Sequence, residues 1–339
     1  MIIKRKIFLL PLMVFGLGAL APSGVTAQEI QERTIRFGHL NNGDHPVSFG
    51  VKRFAEIVAA KSGGKLKVKE FPSSTLGNEM QQQSALQGGV QEMSAPATTS
   101  LAGIVKEFGL VDLPFSVTTF EQADALLDGP FGQTLLAKLP EKGFISLGYW
   151  DLGFRNVTNS KHPITRLEDL SGLKMRVIPN PVFLETFKAF KANPVPMPFS
   201  DLYGALESKA VDGQENPYAV ILSNKFFEVQ KYVSATNHVY AANIILVSKR
   251  FWDKLTPAEQ KILKDAATES RAYQRQVSRA AAQRAVGELK AKGMQYNEIA
   301  PAEQARMREV VKPINERLMA TYDPAIVRLY SSELARLIK

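Results

Sequence analysis

The chain of 339 residues contains no cysteine and only two tryptophans. The lack of cysteine excludes disulfides, thiolate zinc and iron–sulfur sites, a thiol nucleophile and a lipoprotein anchor. Hydrophobic residues make up 45% of the chain and charged residues 22%, which is typical of a globular protein and excludes a disordered chain or a coiled-coil rod. Because single cores stop growing near about 250–300 residues, the length favours two domains.

Apolar runs long enough to span a bilayer are also missing. The best candidate, residues 7–20, has 14 residues, whereas a spanning helix needs about 20. This run follows three basic residues at positions 4–6 and precedes small residues at positions 25–27, which is the pattern of a cleaved secretory signal. We therefore expect residues 1–27 to be a signal peptide and the mature chain to be a periplasmic protein without a membrane anchor.

Basic residues outnumber acidic ones by 42 to 33. This excess favours anionic ligands through a mild positive field, although a protein that is merely basic explains it equally well. Runs of Lys and Arg interleaved with aromatic residues are absent, so no nucleic-acid partner is expected.

Hydrophobic spacing predicts alternating strands and helices. Residues 34–40 and 65–70 have the composition of strands, and residues 47–61 and 77–86 have helical spacing. This alternation predicts an α/β domain with a largely parallel sheet. Further strands are predicted at 144–150, 173–178 and 240–248, and further helices at 120–127, 181–190 and 200–209. Helical segments are predicted in 301–339, with interruptions at Pro313 and Pro324.

The strongest helix start lies at residues 256–259, where Thr, Pro and Glu stand at the N-cap, first and third positions. No glycine follows until Gly287, and we expect the helix to continue past it to about residue 292. Such a helix is about 54 Å long at 1.5 Å per residue. Since that exceeds a small domain, we expect the helix to lie across two lobes.

Signatures of enzymes are absent: the chain has no G-x-S-x-G elbow, no H-E-x-x-H, no phosphate loop and no EF-hand loop. His39 and His45 follow the first strand, but two histidines without a third ligand are a weak metal signal. We predict no catalytic residue, no metal and no cofactor.

Arg176 stands inside the apolar strand LKMRVI, and Arg155 follows a strand in the stretch WDLGFR. A guanidinium buried in such a strand needs an anion, and its planar fork matches a carboxylate. From the residues alone, a ligand carboxylate and a structural or surface salt bridge are equally plausible partners of Arg176. Asn216 lies in the polar segment 211–217, where turn chemistry or ligand binding would explain it.

Several of these stretches together resemble a known family. GFRNVTNS, DLSGLKMRV, NPVPMPFSDLYGALESKAVDGQENP and FFEVQKY, with FPSSTLGNE and LVDLPF earlier in the chain, are similar to the dicarboxylate-binding type of solute-binding proteins from tripartite ATP-independent periplasmic (TRAP) transporters. The resemblance covers essentially the whole mature chain. It implies a two-lobed α/β periplasmic binding protein fold, with a ligand cleft between the lobes and a long helix spanning both.

The resemblance also implies lobe boundaries and ligand contacts. Lobe I is expected to comprise residues 28–152 plus 242–280, and lobe II residues 153–241 plus 281–339. Arg176 is expected to form the salt bridge to the ligand carboxylate. Arg155 is expected to add a second contact, and Asn216 a hydrogen bond. Further candidates for the pocket are Thr98, Thr99, Trp150, Phe199 and Tyr218.

The function implied by the resemblance is capture of a small organic acid, a C4-dicarboxylate first, and its delivery to the membrane subunits of a TRAP transporter. A monocarboxylate with a hydroxyl, keto or aromatic group is an open alternative, as is a ligand-loaded partner of a sensor kinase. A secreted enzyme acting on an acidic substrate is a further hypothesis, which the missing nucleophile–base pair disfavours. A monomer is expected.

Overall fold

The computed structural model describes residues 1–2 and 29–337. The predicted signal peptide therefore lies almost entirely outside the described residues. Within the described part, no helix has both the length and the apolar character needed to cross a membrane.

The described strands form one mixed sheet. Their order is β2-β1-β3-β8-β4-β7-β5-β6, and β9 pairs with β8. Strands β3, β4, β7 and β8 pair antiparallel to one another, whereas the outer pairs are parallel. The sheet is thus less parallel than predicted. The strands are β1 (Arg33–Gly38), β2 (Leu66–Phe71), β3 (Met93–Ser94), β4 (Phe144–Asn159), β5 (Lys174–Val177), β6 (Asn193–Pro196), β7 (Gly213–Pro217), β8 (Tyr232–Ser248) and β9 (Gln295–Glu298).

The helices cover both halves of the sheet and confirm most predicted segments to within a few residues. Short 3-10 turns add to them, among them Thr98–Leu101 and Phe199–Asp201. The α-helices are α1 (Pro46–Lys61), α2 (Glu79–Gly88), α3 (Phe120–Asp128), α4 (Pro130–Ala137), α5 (Pro181–Ala189), α6 (Leu202–Glu207), α7 (Tyr218–Ser223), α8 (Lys249–Trp252), α9 (Pro257–Ala291), α10 (Pro301–Met319) and α11 (Pro324–Leu337).

Strands β4 and β8 run antiparallel along one another through the middle of the sheet and join the two lobes. Both are about twice as long as predicted, because each continues past the segment whose apolar pattern marked it. Their pairing contains three register shifts, one of them between Asp151 and Gly153. Gly153 has φ +121°, a backbone conformation that is easy only for glycine. A Cβ there would also lie 3.3 Å from a side-chain carbon of Pro217.

Helix α9 spans both lobes, as predicted. Thr256 and Glu259 form the reciprocal capping box, with Pro257 at the first turn, and the helix continues unbroken past Gly287. Near its start, Leu263 packs in the core beneath α1 and β1. Near its end, Leu289 packs in a separate core with residues of α6 and α7. The helix therefore contributes to two cores, and Leu263 and Leu289 are about 39 Å apart along its axis at 1.5 Å per residue.

The C-terminal segment differs from the prediction at Pro313. Helix α10 passes through this proline without interruption. Pro313 and Glu309 are both exposed, so water can reach the carbonyl that loses its hydrogen bond. Helix α11 begins at Pro324, as predicted, and its Tyr330 packs with Phe131 of α4. The predicted division places those two helices in different lobes, and that division stays a prediction.

His45 makes stability depend on pH. It caps α1 by accepting the Val47 amide on Nδ1 at 3.2 Å, and it is fully buried. Burial, with a smaller contribution from His39, lowers the pKa of His45 to about 3. Because the unfolded value is about 6.5, the neutral imidazole stabilises the fold fully above that pH. This stabilisation is lost as the pH falls toward 3.

We expect the free energy of unfolding to fall by about 1.4 kcal/mol between pH 7.5 and 5.5 through His45 alone. Urea titrations at both pH values measure this change. The variant His45→Asn keeps an N-cap acceptor without the titration and should lose most of the difference. The exposed His162→Asn is the matched control and should retain it. Equal acid sensitivity in all three proteins would contradict the assignment.

Candidate functional site

A cleft opens between the two lobes, with about 470 Å³ of empty space. Both halves of the sheet contribute to it, since residues that follow β1 and β3 face residues of β5 and β7. The described lining residues are Leu40, Asn41, Glu79, Ala95, Ala97, Thr99, Ser100, Leu152, Arg155, Arg176, Ile178, Phe199, Asn216, Val220 and Asn243.

Arg176 lies on β5 at the floor of the cleft and is 0% exposed. Its Nε and Nη2 donate to the carbonyl of Met197 at 3.0 and 2.8 Å. Its Nη1 has no hydrogen-bond partner among the described residues. No carboxylate of the described residues forms an ion pair with it, and its guanidinium carbon lies 5.9 Å from the centre of the Phe199 ring. A guanidinium that is buried without an ion-pair partner requires an anion.

The pKa of Arg176 reflects the same surroundings. Burial lowers it to about 10, while the more distant carboxylates Glu79 and Glu215 counteract this in part. The group therefore stays charged at neutral pH. The sequence left a surface position, a structural salt bridge and a ligand carboxylate open for Arg176. The structure buries the arginine, and no salt bridge to it is formed within residues 29–337.

Arg155, on β4, is in a different state. Its Nε and Nη2 form a bidentate pair with Glu215 at 2.5 and 2.8 Å, and Nη2 also donates to the Glu215 carbonyl at 2.7 Å. Both side chains are at most 1% exposed. Arg155 still lines the cleft, but its charge is already neutralised. A second ligand carboxylate would have to compete with Glu215 for it.

Glu215 is also bound from the other side. His238 Nε2 lies 3.1 Å from Glu215 Oε2, and Thr236 Oγ1 lies 2.8 Å from His238 Nδ1. Burial opposes the charged carboxylate, but Arg155 and His238 outweigh it and hold the pKa of Glu215 below its usual range. The cluster fixes the geometry of β4, β7 and β8 where they meet at the back of the cleft.

Asn216 lies on β7, so residues 213–217 form a strand and not the turn that their polar composition indicated. The segment Gly213–Pro217 pairs with β4, which supplies the backbone hydrogen bonds of a strand. Asn216 accepts from Arg155 Nη2 at 3.2 Å and donates to Gln214 at 2.6 Å. It reaches the cleft beside Arg155 and Arg176.

The two threonines of the predicted pocket separate. Thr99 lines the cleft, and its buried hydroxyl has no partner among the described residues. Thr98 does not line the cleft, because its hydroxyl bonds to the carbonyl of Ala242 at 3.2 Å. Consecutive residues of a 3-10 turn point in different directions, so one faces the cleft and the other the sheet.

Trp150 and Tyr218 do not line the cleft. Trp150 is 1% exposed and stacks with Phe37 at 6.1 Å between ring centres, in the core beneath α1. The residue of this strand that lines the cleft is Leu152, which lies two positions after Trp150 and about 6.6 Å further along the strand. Tyr218 packs toward Tyr296 of β9, with 6.4 Å between ring centres. Of the three aromatic candidates, Phe199 is the one that borders the cleft.

Sequence reasoning missed Glu79 and Asn243. Asn243 is a polar residue in the apolar strand β8, which is the same signal that identified Arg176. Its amide donates to Ala95 O at 2.7 Å, while its buried Oδ1 has no donor among the described residues. Glu79 has no such signal, because an acidic residue in the first turn of a helix is common.

Comparison with known proteins adds to this geometry. A family model described as bacterial extracellular solute-binding protein, family 7, matches residues 37–321. The 2,3-diketo-L-gulonate-binding periplasmic protein YiaO of Escherichia coli K12 is 37% identical over 284 residues, 84% of this chain and 85% of that protein.

Two further relatives bind other acids. The C4-dicarboxylate-binding periplasmic protein DctP of Rhodobacter capsulatus is 32% identical over 286 residues, 84% of this chain and 86% of that protein. The sugar acid binding protein DctPAm of Advenella mimigardefordensis, solved with galactonate, has a TM-score of 0.89 and 42% identity, over 91% of this chain and 99% of that chain. The acids in these names range from sugar acids to dicarboxylates.

Proposed function

Because this chain belongs to family 7 of the bacterial extracellular solute-binding proteins, the TRAP solute-binding family, we propose that it binds a small organic acid through Arg176. It then presents that acid to the membrane subunits of a TRAP transporter. The family consists of binding components of transporters, so the protein is not an enzyme.

The observation that supports the proposal best is the unpaired charge of Arg176. The guanidinium is fully buried at the cleft floor, with one terminal nitrogen unbonded and no ion-pair partner among the described residues. A carboxylate that enters the cleft would supply the missing anion and accept from the free nitrogen. Asn216 and the hydroxyl of Thr99 lie in the same cleft and can orient the rest of the ligand.

The cellular setting follows from the same family. Its members act outside the cytoplasm, and the secretory pattern of residues 1–27 supports export and signal cleavage. We propose a periplasmic monomer that docks on a TRAP permease. Genes for permease subunits next to this one would support transport, whereas a neighbouring sensor kinase gene would support the sensory alternative.

A thermal-shift screen tests the ligand class. A ligand at a hundredfold excess over its Kd stabilises the native state by about 2.7 kcal/mol, so organic acids that bind should raise the melting temperature by several degrees. The screen should contain dicarboxylates, sugar acids, keto acids and aromatic acids, with the corresponding neutral alcohols and amides as matched controls. Mass spectrometry of acid released from the purified protein provides an independent identification.

Stabilisation by neutral sugars or amines alone would contradict the proposal. Conversion of any bound acid by the purified protein would instead favour the enzyme hypothesis.

A further inference from the structure

Among the described residues, the cleft has one cation available to a ligand. Of the described residues that line it, three have titratable side chains: Glu79, Arg155 and Arg176. Arg155 is neutralised by Glu215. A ligand carboxylate can therefore pair with Arg176, but a second carboxylate would meet Glu79 and no unpaired cation of residues 29–337.

Glu79 is held in the cleft by a contact between the lobes. It is the first residue of α2, and its Oε1 accepts the backbone N–H of Phe199, from the turn after β6, at 3.1 Å. Its Oε2 has no hydrogen bond within the described part of the chain. The Glu79 carboxylate is near enough to raise the pKa of Arg176, against the larger lowering by burial. One acceptor oxygen thus remains free close to the expected ligand carboxylate.

A second cleft residue, Asn243, also lacks a donor among the described residues. Asn243 is 2% exposed, and because its amide nitrogen is bonded to Ala95, the unpaired atom that remains is the acceptor Oδ1. The buried Thr99 hydroxyl, which can donate or accept, has no partner within the described part of the chain. Buried acceptors are costly unless a donor reaches them. A ligand with hydroxyl groups supplies donors, whereas a carboxylate supplies only acceptors.

We propose that the cleft selects a polyhydroxylated monocarboxylate, with its carboxylate on Arg176 and its hydroxyls donating to Glu79 and Asn243. Glu79 is then the residue that discriminates against dicarboxylates. The acceptors lie on separate elements, α2 and β8, so several hydroxyls along a chain satisfy them better than one amine. This inference rests on the proposed function, because it assumes the carboxylate site at Arg176.

Three acids and one substitution test the inference. D-Galactonate has one carboxylate, galactarate has the same carbon chain with a carboxylate at each end, and succinate is a dicarboxylate without hydroxyls. Calorimetric titration of the wild-type protein should show galactonate binding roughly a hundredfold tighter than galactarate, because like charges repel in the desolvated cleft.

Glu79→Gln removes the charge at constant shape and should reduce that ratio of affinities at least tenfold. Glu56→Gln, on the exposed face of α1, should leave it unchanged.

The outcomes separate the two proposals. If galactonate binds through Arg176 but galactarate or succinate binds equally tightly, or Glu79→Gln leaves the ratio unaltered, selection by Glu79 is wrong and the carboxylate site stands. If no acid binds the wild-type protein, the proposed function itself fails. If Glu79→Gln has a much lower melting temperature than the wild-type protein, Glu79→Asp is titrated in its place. That variant retains the charge and should still discriminate against galactarate while binding galactonate more weakly.

Discussion

Replacing Arg176 by alanine is expected to weaken binding of the carboxylate ligand by tens to thousands of fold. The ligand carboxylate would remain in a desolvated cleft without its cation, which costs roughly 2–5 kcal/mol, and each 1.4 kcal/mol is about a factor of ten in Kd. Arg176→Lys keeps a charge but loses the planar fork, so it should also weaken binding substantially. Calorimetric titration with an acid identified in the screen measures both changes.

The stability of these variants distinguishes a ligand anchor from a structural arginine. Arg176 has no ion pair among the described residues, so its removal in the absence of ligand relieves a desolvated charge and should cost little stability. The loss should appear in affinity and in the stabilisation by ligand, not in the melting temperature of the free protein. The exposed Arg53→Ala is the matched control for both measurements. Near-normal affinity in both Arg176 variants would exclude it as the carboxylate anchor.

Replacing Glu215 by alanine should have the opposite signature, a large loss of stability. Arg155 would be left buried without its bidentate partner, and breaking such a pair costs about 3–5 kcal/mol. The contact with His238 would be lost as well. Glu215→Gln retains one acceptor and should lose less stability.

Because the folded pKa of Glu215 lies below its usual range, its charged form stabilises the protein above about pH 4.3. That contribution is lost as the pH falls further.

Chemical denaturation of Glu215→Ala, Glu215→Gln and a surface control measures this effect. Glu185→Ala is suitable as the control, because it also removes a carboxylate from an arginine, here the largely exposed Arg317. Exposed pairs of this kind contribute about 0–1 kcal/mol. A loss in Glu215→Ala no larger than in the control would mean that the pair contributes little to the fold. A double variant with Arg155→Ala should recover part of the loss.

Local signals predicted much of this molecule. The capping box at Thr256 and Glu259, with Pro257 between them, defined the start of the long helix correctly, because a cap depends only on residues within one turn. The pattern of an arginine among apolar residues marked Arg176 as a candidate site residue but left a buried and a surface position open, and the structure places it in the buried position. The family resemblance, carried by segments such as GLKMRV and AVDGQENP, is confirmed by the match over residues 37–321.

What the sequence did not reveal depends on contacts between distant parts of the chain. Arg155 and Glu215 are 60 positions apart, and nothing local indicates that one neutralises the other. Glu79 and Phe199 are 120 positions apart, and only the approach of the two lobes makes an ordinary first-turn acid a carboxylate of the cleft. Trp150 and Tyr218 were candidates for the pocket although core packing is the more common role of such residues, and neighbouring elements cover both.

The amino-acid sequence by itself determined the family, the caps of the long helix and the position of most helices and strands, because these depend on periodicity, caps and composition within short segments. The tertiary structure decided which charges remain unpaired. A charge is neutralised or left free by whichever residues the packing of strands and lobes brings within a few ångströms. In this protein that packing pairs Arg155 with Glu215 and leaves Arg176 without an ion-pair partner among the described residues.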